Sequence, residues 1–114
     1  MGGDESDDDR LDRAFMALAD PVRRAIIARL SRGSATVNDL AEPFEITVQA
    51  ISRHIQVLES AGLVSRTRDA QRRPVHLEAA ALESMTAWID TYRLNTESSY
   101  RRLDRLLSKE GTEQ

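Results

Sequence analysis

The sequence contains no cysteine. That single absence excludes disulfides, thiolate metal centres and cysteine nucleophiles together. No apolar run approaches the roughly 18 residues of a membrane-spanning helix. The acidic N-terminus lacks the basic-then-apolar order of a secretion signal, so a cytoplasmic chain without a membrane partner is expected. The five glycines form no glycine-rich phosphate loop, and no serine or threonine stands in a recognisable nucleophile-and-base motif. Histidine occurs twice, as His54 and His76, on separate segments without a carboxylate cluster between them. No catalytic residue, metal ligand or cofactor site is therefore expected, and the chain is not read as an enzyme.

What is present is a chain of 114 residues, enough for one domain with a modest core. The net charge of −3 hides an uneven distribution. Residues 1–13 hold six acids against two arginines, whereas residues 47–76 hold five arginines against Glu59 and Asp69. Attraction to a polyanion depends on potential within about 8 Å at physiological salt, so the basic middle matters more than the total.

Residues 1–9, almost without apolar side chains, read as a disordered acidic leader. The remainder, residues 10–108, reads as one domain, with a frayed tail over 109–114. From Leu11 the apolar period is helical, through Phe15 and Leu18. Asp20-Pro21 caps and opens a second helix whose Val22, Ile26, Ile27 and Leu30 face inward and whose Arg23, Arg24 and Arg29 reach solvent. Thr36 with Asp39 forms a capping-box variant for a short third helix that stops before Pro43. Thr47 caps a fourth helix running to about Ala61, with Gly62 as its stop. Strands over Leu63–Arg68 and Pro74–Glu78 make a β-hairpin, and residues 79–107 make one long helix.

The fourth helix carries two stripes. Ile51, Ile55 and Leu58 are apolar; Gln49, Ser52, Arg53 and Gln56 are polar and lie on another face. A short helix, a turn and a polar-faced helix make a helix-turn-helix, and the hairpin behind it makes a winged helix. Glutamine pairs well with adenine, arginine with guanine and serine with either, so the polar stripe suits the major groove of duplex DNA. Thr47 leaves backbone N–H groups open to a phosphate. The wing, 66–74, contributes Arg66, Arg68, Arg72 and Arg73 for phosphate contacts, with a minor-groove contact as a further role. The acidic leader is either inert or a competitor of DNA for those arginines.

The segments Phe15-x-x-Leu18-Ala19-Asp20-Pro21-x-Arg23-Arg24, Val37-x-x-Leu40-Ala41 and Ala50-Ile51-Ser52-Arg53-His54-Ile55-x-x-Leu58-Glu59-x-Ala61-Gly62-Leu63-Val64 together resemble the ArsR/SmtB family of winged-helix repressors. The resemblance implies a mainly α fold with a small β-hairpin and a long C-terminal dimerisation helix. It also implies a homodimer that blocks a promoter by binding an inverted-repeat operator. Leu11, Phe15, Leu82, Met85, Ile89, Tyr92, Leu103 and Leu106, on the first and last helices, are the expected dimer contacts. Release follows an inducer, such as a small molecule, or another signal. The family's metal sensors place thiols in the third helix or Asp and His on the last. Here Asp39-Leu40-Ala41-Glu42-Pro43-Phe44 has no thiol, and Asp90 has no histidine from residue 77 onward. Trp88-Ile89-Asp90-Thr91-Tyr92-Arg93 is similar to the metal-independent members instead. Trp88 and Tyr92 are read as packing residues, with an inducer pocket as the alternative. The competing reading of the whole chain is a protein-interaction module that uses the long last helix.

Overall fold

The computed structural model describes residues 6–67 and 72–112. Helix α1 (Asp7–Ala17) begins where Ser6 Oγ accepts the Asp9 backbone N–H at 3.1 Å. It therefore starts earlier than the apolar period predicts. Asp7, Asp8 and Asp9, read from sequence as part of a disordered leader, form its first turn, where carboxylates oppose the positive end of the helix dipole. Residues 1–5 of that leader lie outside the described residues.

Helix α2 (Pro21–Leu30) is capped by Asp20, whose carboxylate accepts from the Val22 and Arg23 backbone N–H groups at 2.8 and 3.1 Å. Pro21 sits at a first-turn position where its missing N–H costs nothing. Helix α3 (Val37–Ala41) has the reciprocal box: Thr36 Oγ1 accepts from the Asp39 N–H, and Asp39 accepts from the Thr36 N–H. Helix α4 (Val48–Ser60) starts at Thr47, whose hydroxyl accepts the Ala50 N–H at 3.1 Å. It ends in two reversed hydrogen bonds, Gly62 N–H to Glu59 O and Leu63 N–H to Leu58 O, each 3.0 Å. That closure needs a left-handed residue, and Gly62 supplies it with φ +75°.

Strands β1 (Val64–Arg66) and β2 (Val75–Leu77) pair antiparallel, with Val64 opposite Leu77 and Arg66 opposite Val75. Both are shorter than the alternation predicts. Ser65 bonds Glu78 and Thr67 bonds His76 across the polar face. A third segment joins the hairpin from far away in sequence. Ala35, just before α3, exchanges two backbone hydrogen bonds with Val75, at 2.8 and 3.1 Å. Nothing local in the sequence announces that bridge.

The core gathers Ala14 and Ala17 from α1, Ile26 and Leu30 from α2, Leu40 from α3, the apolar stripe of α4, and Leu63, Val64 and Val75 around the hairpin. Among its described side chains, helix α5 (Ala79–Thr112) buries one, Met85, and then leaves the core. It runs past residue 107, where the sequence pattern ends it. From residue 86 to 108 no side chain is buried. The radius of gyration is accordingly 20.4 Å, against about 13 Å for a compact domain of this length. Among the described residues no helix is long and apolar enough to cross a membrane.

Candidate nucleic-acid interface

Helices α3 and α4 and the turn between them present α4 outward along one face. Its inner face is fixed: Ile51, Ile55 and Leu58 are wholly buried. Every other face is set by that anchoring at 3.6 residues per turn. Gln49, Arg53 and Gln56 are exposed and Ser52 is half-buried, so the polar stripe faces out. None of these four side chains has a hydrogen bond or ion pair among the described residues. Thr47 is exposed at the head of α4.

Arg23, expected in solvent, is half-buried and braces this helix from behind, whereas Arg24 is exposed as expected. Arg23 Nε donates to the Ala17 carbonyl at 2.6 Å, and one of its terminal nitrogens lies 3.2 Å from His54 Nδ1 on α4. Arg24 donates to the Leu18 carbonyl at 2.8 Å. Both arginines thus satisfy carbonyls at the C-terminal end of α1, which no intrahelical N–H reaches. This explains the Leu18-Ala19-Asp20-Pro21-x-Arg23-Arg24 segment locally: the acid starts one helix and the arginines close the previous one. The signal was the two arginines one turn behind a cap, but their partners are tertiary. The Arg23 backbone N–H is the main force holding the Asp20 carboxyl below the usual carboxylate range; burial works the other way, and the Val22 N–H and the charges of His54 and Arg23 help lower it. His54 is thus engaged with Arg23.

The wing arginines separate into two kinds. Arg72 and Arg73 are exposed. Arg73 has φ +45°, a left-handed conformation costing a non-glycine residue about 1–2 kcal/mol. Arg66 differs from the expectation. Alternation puts it on the same hairpin face as Val64 and Val75, its side chain is only 18% exposed, and its Nε lies 3.6 Å from Glu59 Oε1 on α4. It ties the wing to the recognition helix instead of projecting from the tip. Arg68 lies outside the described residues.

The expected dimer contacts also divide. Met85 is buried in its own chain's core. Leu11, Phe15 and Leu82 are half-buried against that core. The Phe15 ring meets Trp88 edge-on at 5.7 Å, and Trp88 lies 4.9 Å from Tyr92. Ile89, Tyr92, Leu103 and Leu106 are exposed, as are Trp88 and Leu107. A 3-4 spacing cannot tell a chain's own core from a partner's, so Met85 shares the spacing of the exposed residues. Among the described residues no three His, Asp or Glu side chains converge as a metal-binding group.

Comparison with known proteins agrees with this geometry. Residues 18–67 match the family model of a helix-turn-helix domain, the span from the end of α1 to the wing. The chain is 35% identical over 92 residues to the HTH-type transcriptional regulator Rv2034 of Mycobacterium tuberculosis, covering 81% of this chain and 86% of that protein. It is 33% identical over 79 residues to the transcriptional repressor SdpR of Bacillus subtilis, covering 69% and 88%. A crystal structure of an ArsR family transcriptional regulator, RHA00566, superposes with a TM-score of 0.72 at 36% identity, covering 77% of this chain and 97% of that one. With a helix-turn-helix, a wing and relatives of that identity over most of its length, the chain belongs to the ArsR family of winged helix-turn-helix transcriptional regulators, which are DNA-binding proteins and not enzymes.

Proposed function

We propose that the chain is a homodimeric repressor that binds an inverted-repeat operator, reading base edges with α4 and holding phosphates with its wing. The observation that carries the reading is the outward face of α4. Gln49, Ser52, Arg53 and Gln56 stand side by side without partners among the described residues, while other arginines nearby are engaged. Unpaired donors and acceptors aimed at solvent from an anchored helix suit the donor–acceptor pattern of a major groove. The open N–H groups after Thr47 offer a phosphate contact at the helix head. Arg72 and Arg73 supply phosphate contacts at the wing, and Arg68 is assigned to the same tip from sequence alone. The strained backbone at Arg73 is the kind of local cost that functional segments carry.

The homodimer is supported by α5. Its exposed Ile89, Tyr92, Leu103 and Leu106 repeat at helical spacing beyond the core, where a second copy would cover them. Repression is supported by the likeness to SdpR. The working compartment is then the one that holds the promoter, the cytoplasm. The same exposed stripe favours the second reading, a protein-interaction module built on α5.

One experiment separates the two. The protein is equilibrated with a pool of random duplexes at two salt concentrations, and the bound fraction is sequenced. Enrichment of an inverted repeat with half-sites about 10 base pairs apart, or a multiple of that, is the expected result. Arg72→Ala should then weaken all duplexes alike and flatten the salt dependence by about one phosphate contact. Weak retention without enrichment would refute the repressor reading and leave the interaction module.

A further inference from the structure

Helix α4 has a second neighbour on its exposed side. Between α1 and α4 lies an open groove of about 580 Å³, within the range of small-molecule sites. Its floor is apolar: Met16, Ala17, Val57 and Ala61 line it. Met16 is 71% exposed, more than any other large apolar side chain described, and Val57 is 41% exposed. The dimer face does not account for Met16. One residue away, Phe15 faces Trp88, and successive helical residues diverge by about 100°. A phosphate backbone does not account for it either, since phosphates offer a thioether nothing to bind. The rim is basic. Arg13, Arg23 and Arg53 line the groove against one acid, Asp12. Arg23 is held at the edge by the Ala17 carbonyl and His54, and Arg53 has no partner among the described residues.

We propose that this groove binds an amphipathic anion, a medium-chain carboxylate, and that its binding releases DNA by occupying the reading face. The acyl chain lies on Met16 and Val57, where a flexible thioether adapts its shape to an apolar ligand. The carboxylate pairs with the Arg53 guanidinium, whose planar fork matches a carboxylate's two oxygens. Arg53 and Gln56 line the groove and also belong to the DNA-reading stripe. Ligand and operator therefore compete for the same side chains, and no conformational change is needed. The release half rests on the DNA-reading assignment made above; the binding half does not.

The test begins without DNA. The chain has three methionines, Met1, Met16 and Met85, so methyl-13C-methionine labelling gives three signals. Decanoate, kept below its micellar concentration, should shift the Met16 methyl saturably and leave that of the buried Met85 in place. Decyltrimethylammonium, with the same chain and a cationic head, should leave Met16 unmoved. A silent Met16, or an equal response to both heads, overturns the site whatever the fate of the repressor reading. With a duplex selected as above, decanoate at ten times its dissociation constant should weaken DNA binding about elevenfold by competition. Met16→Ala should weaken decanoate binding by calorimetry and blunt the release, while keeping the DNA affinity of the ligand-free protein. A Met16 shift with undiminished DNA binding would keep the site and overturn its competition with DNA.

Discussion

Two arginines that look alike in sequence should fail in opposite ways. Arg53 is exposed, unpartnered among the described residues and on the outward stripe of α4. Arg66 is 18% exposed, backs onto Val64 and Val75, and faces Glu59. Truncating Arg53 to alanine removes nothing the fold uses, so stability should change by no more than about 0.5 kcal/mol, as at ordinary surface positions. A lost bidentate base contact costs about 1–3 kcal/mol, or about 5- to 160-fold in preference for the selected duplex over a scrambled one. Arg66→Ala should do the reverse. Its three methylenes, worth about 0.8 kcal/mol each when buried, set a ceiling of about 2 kcal/mol for the stem. Glu59 is 44% exposed, so the ion pair is screened and adds less than about 1 kcal/mol. The sum, about 1–3 kcal/mol, corresponds to a melting temperature lower by several degrees in a domain of this size. Thermal unfolding at one fixed protomer concentration gives the first number. Fluorescence anisotropy with selected and scrambled duplexes gives the second. If Arg53→Ala lowered the melting temperature while Arg66→Ala left it alone and weakened DNA binding, the two assignments would be wrong together.

Other consequences can be checked with the same protein. The Asp20 carboxyl, lowered chiefly by the Arg23 backbone N–H, binds a proton more weakly when folded than when unfolded. The stability it supplies is complete above about pH 4 and is lost as pH falls through the lowered folded value. The melting-temperature gap between wild type and Asp20→Asn should thus shrink in acid, and a gap constant down to about pH 2 would contradict that. Gly62 has open space where a Cβ would go, so Gly62→Ala should cost only its backbone strain, about 1–2 kcal/mol by denaturant titration. Leu103→Asp, placed in the exposed stripe of α5, should shift sedimentation from dimer to protomer at micromolar concentration; an unchanged dimer would locate the interface elsewhere.

The features legible in the sequence were those written within a few residues. Asp20-Pro21, the Thr36–Asp39 box, the Thr47 cap and the Gly62 stop each satisfy backbone groups one turn away, so their signals are local. The polar stripe of α4 followed from its period once the apolar stripe was anchored. The partners were not legible. Alternation gave the hairpin face of Arg66, but Glu59 sits on the preceding helix and only the packed fold brings it near. Arg23 and His54 are 31 residues apart, and the Ala35–Val75 bridge spans 40 positions with no side-chain chemistry to announce it. The acids of α1 misled for a different reason: their composition resembles a solvated tail, and only the Ser6 cap turns them into a favourable first turn.

The Ala35–Val75 bridge closes a ring. From α3 the chain passes through the turn into α4, through Gly62 into β1, across to β2, and back by two hydrogen bonds to the residue before α3. Arg66 and Glu59 brace the ring across its middle. Among the described residues the pieces of this ring are short and hydrogen-bonded to one another. The distance from the reading helix to the wing then works as the fixed opening of a caliper, set at folding and insensitive to what is being measured. Control over such a reader has two routes: to cover its jaws, or to alter the spacing between one caliper and its twin.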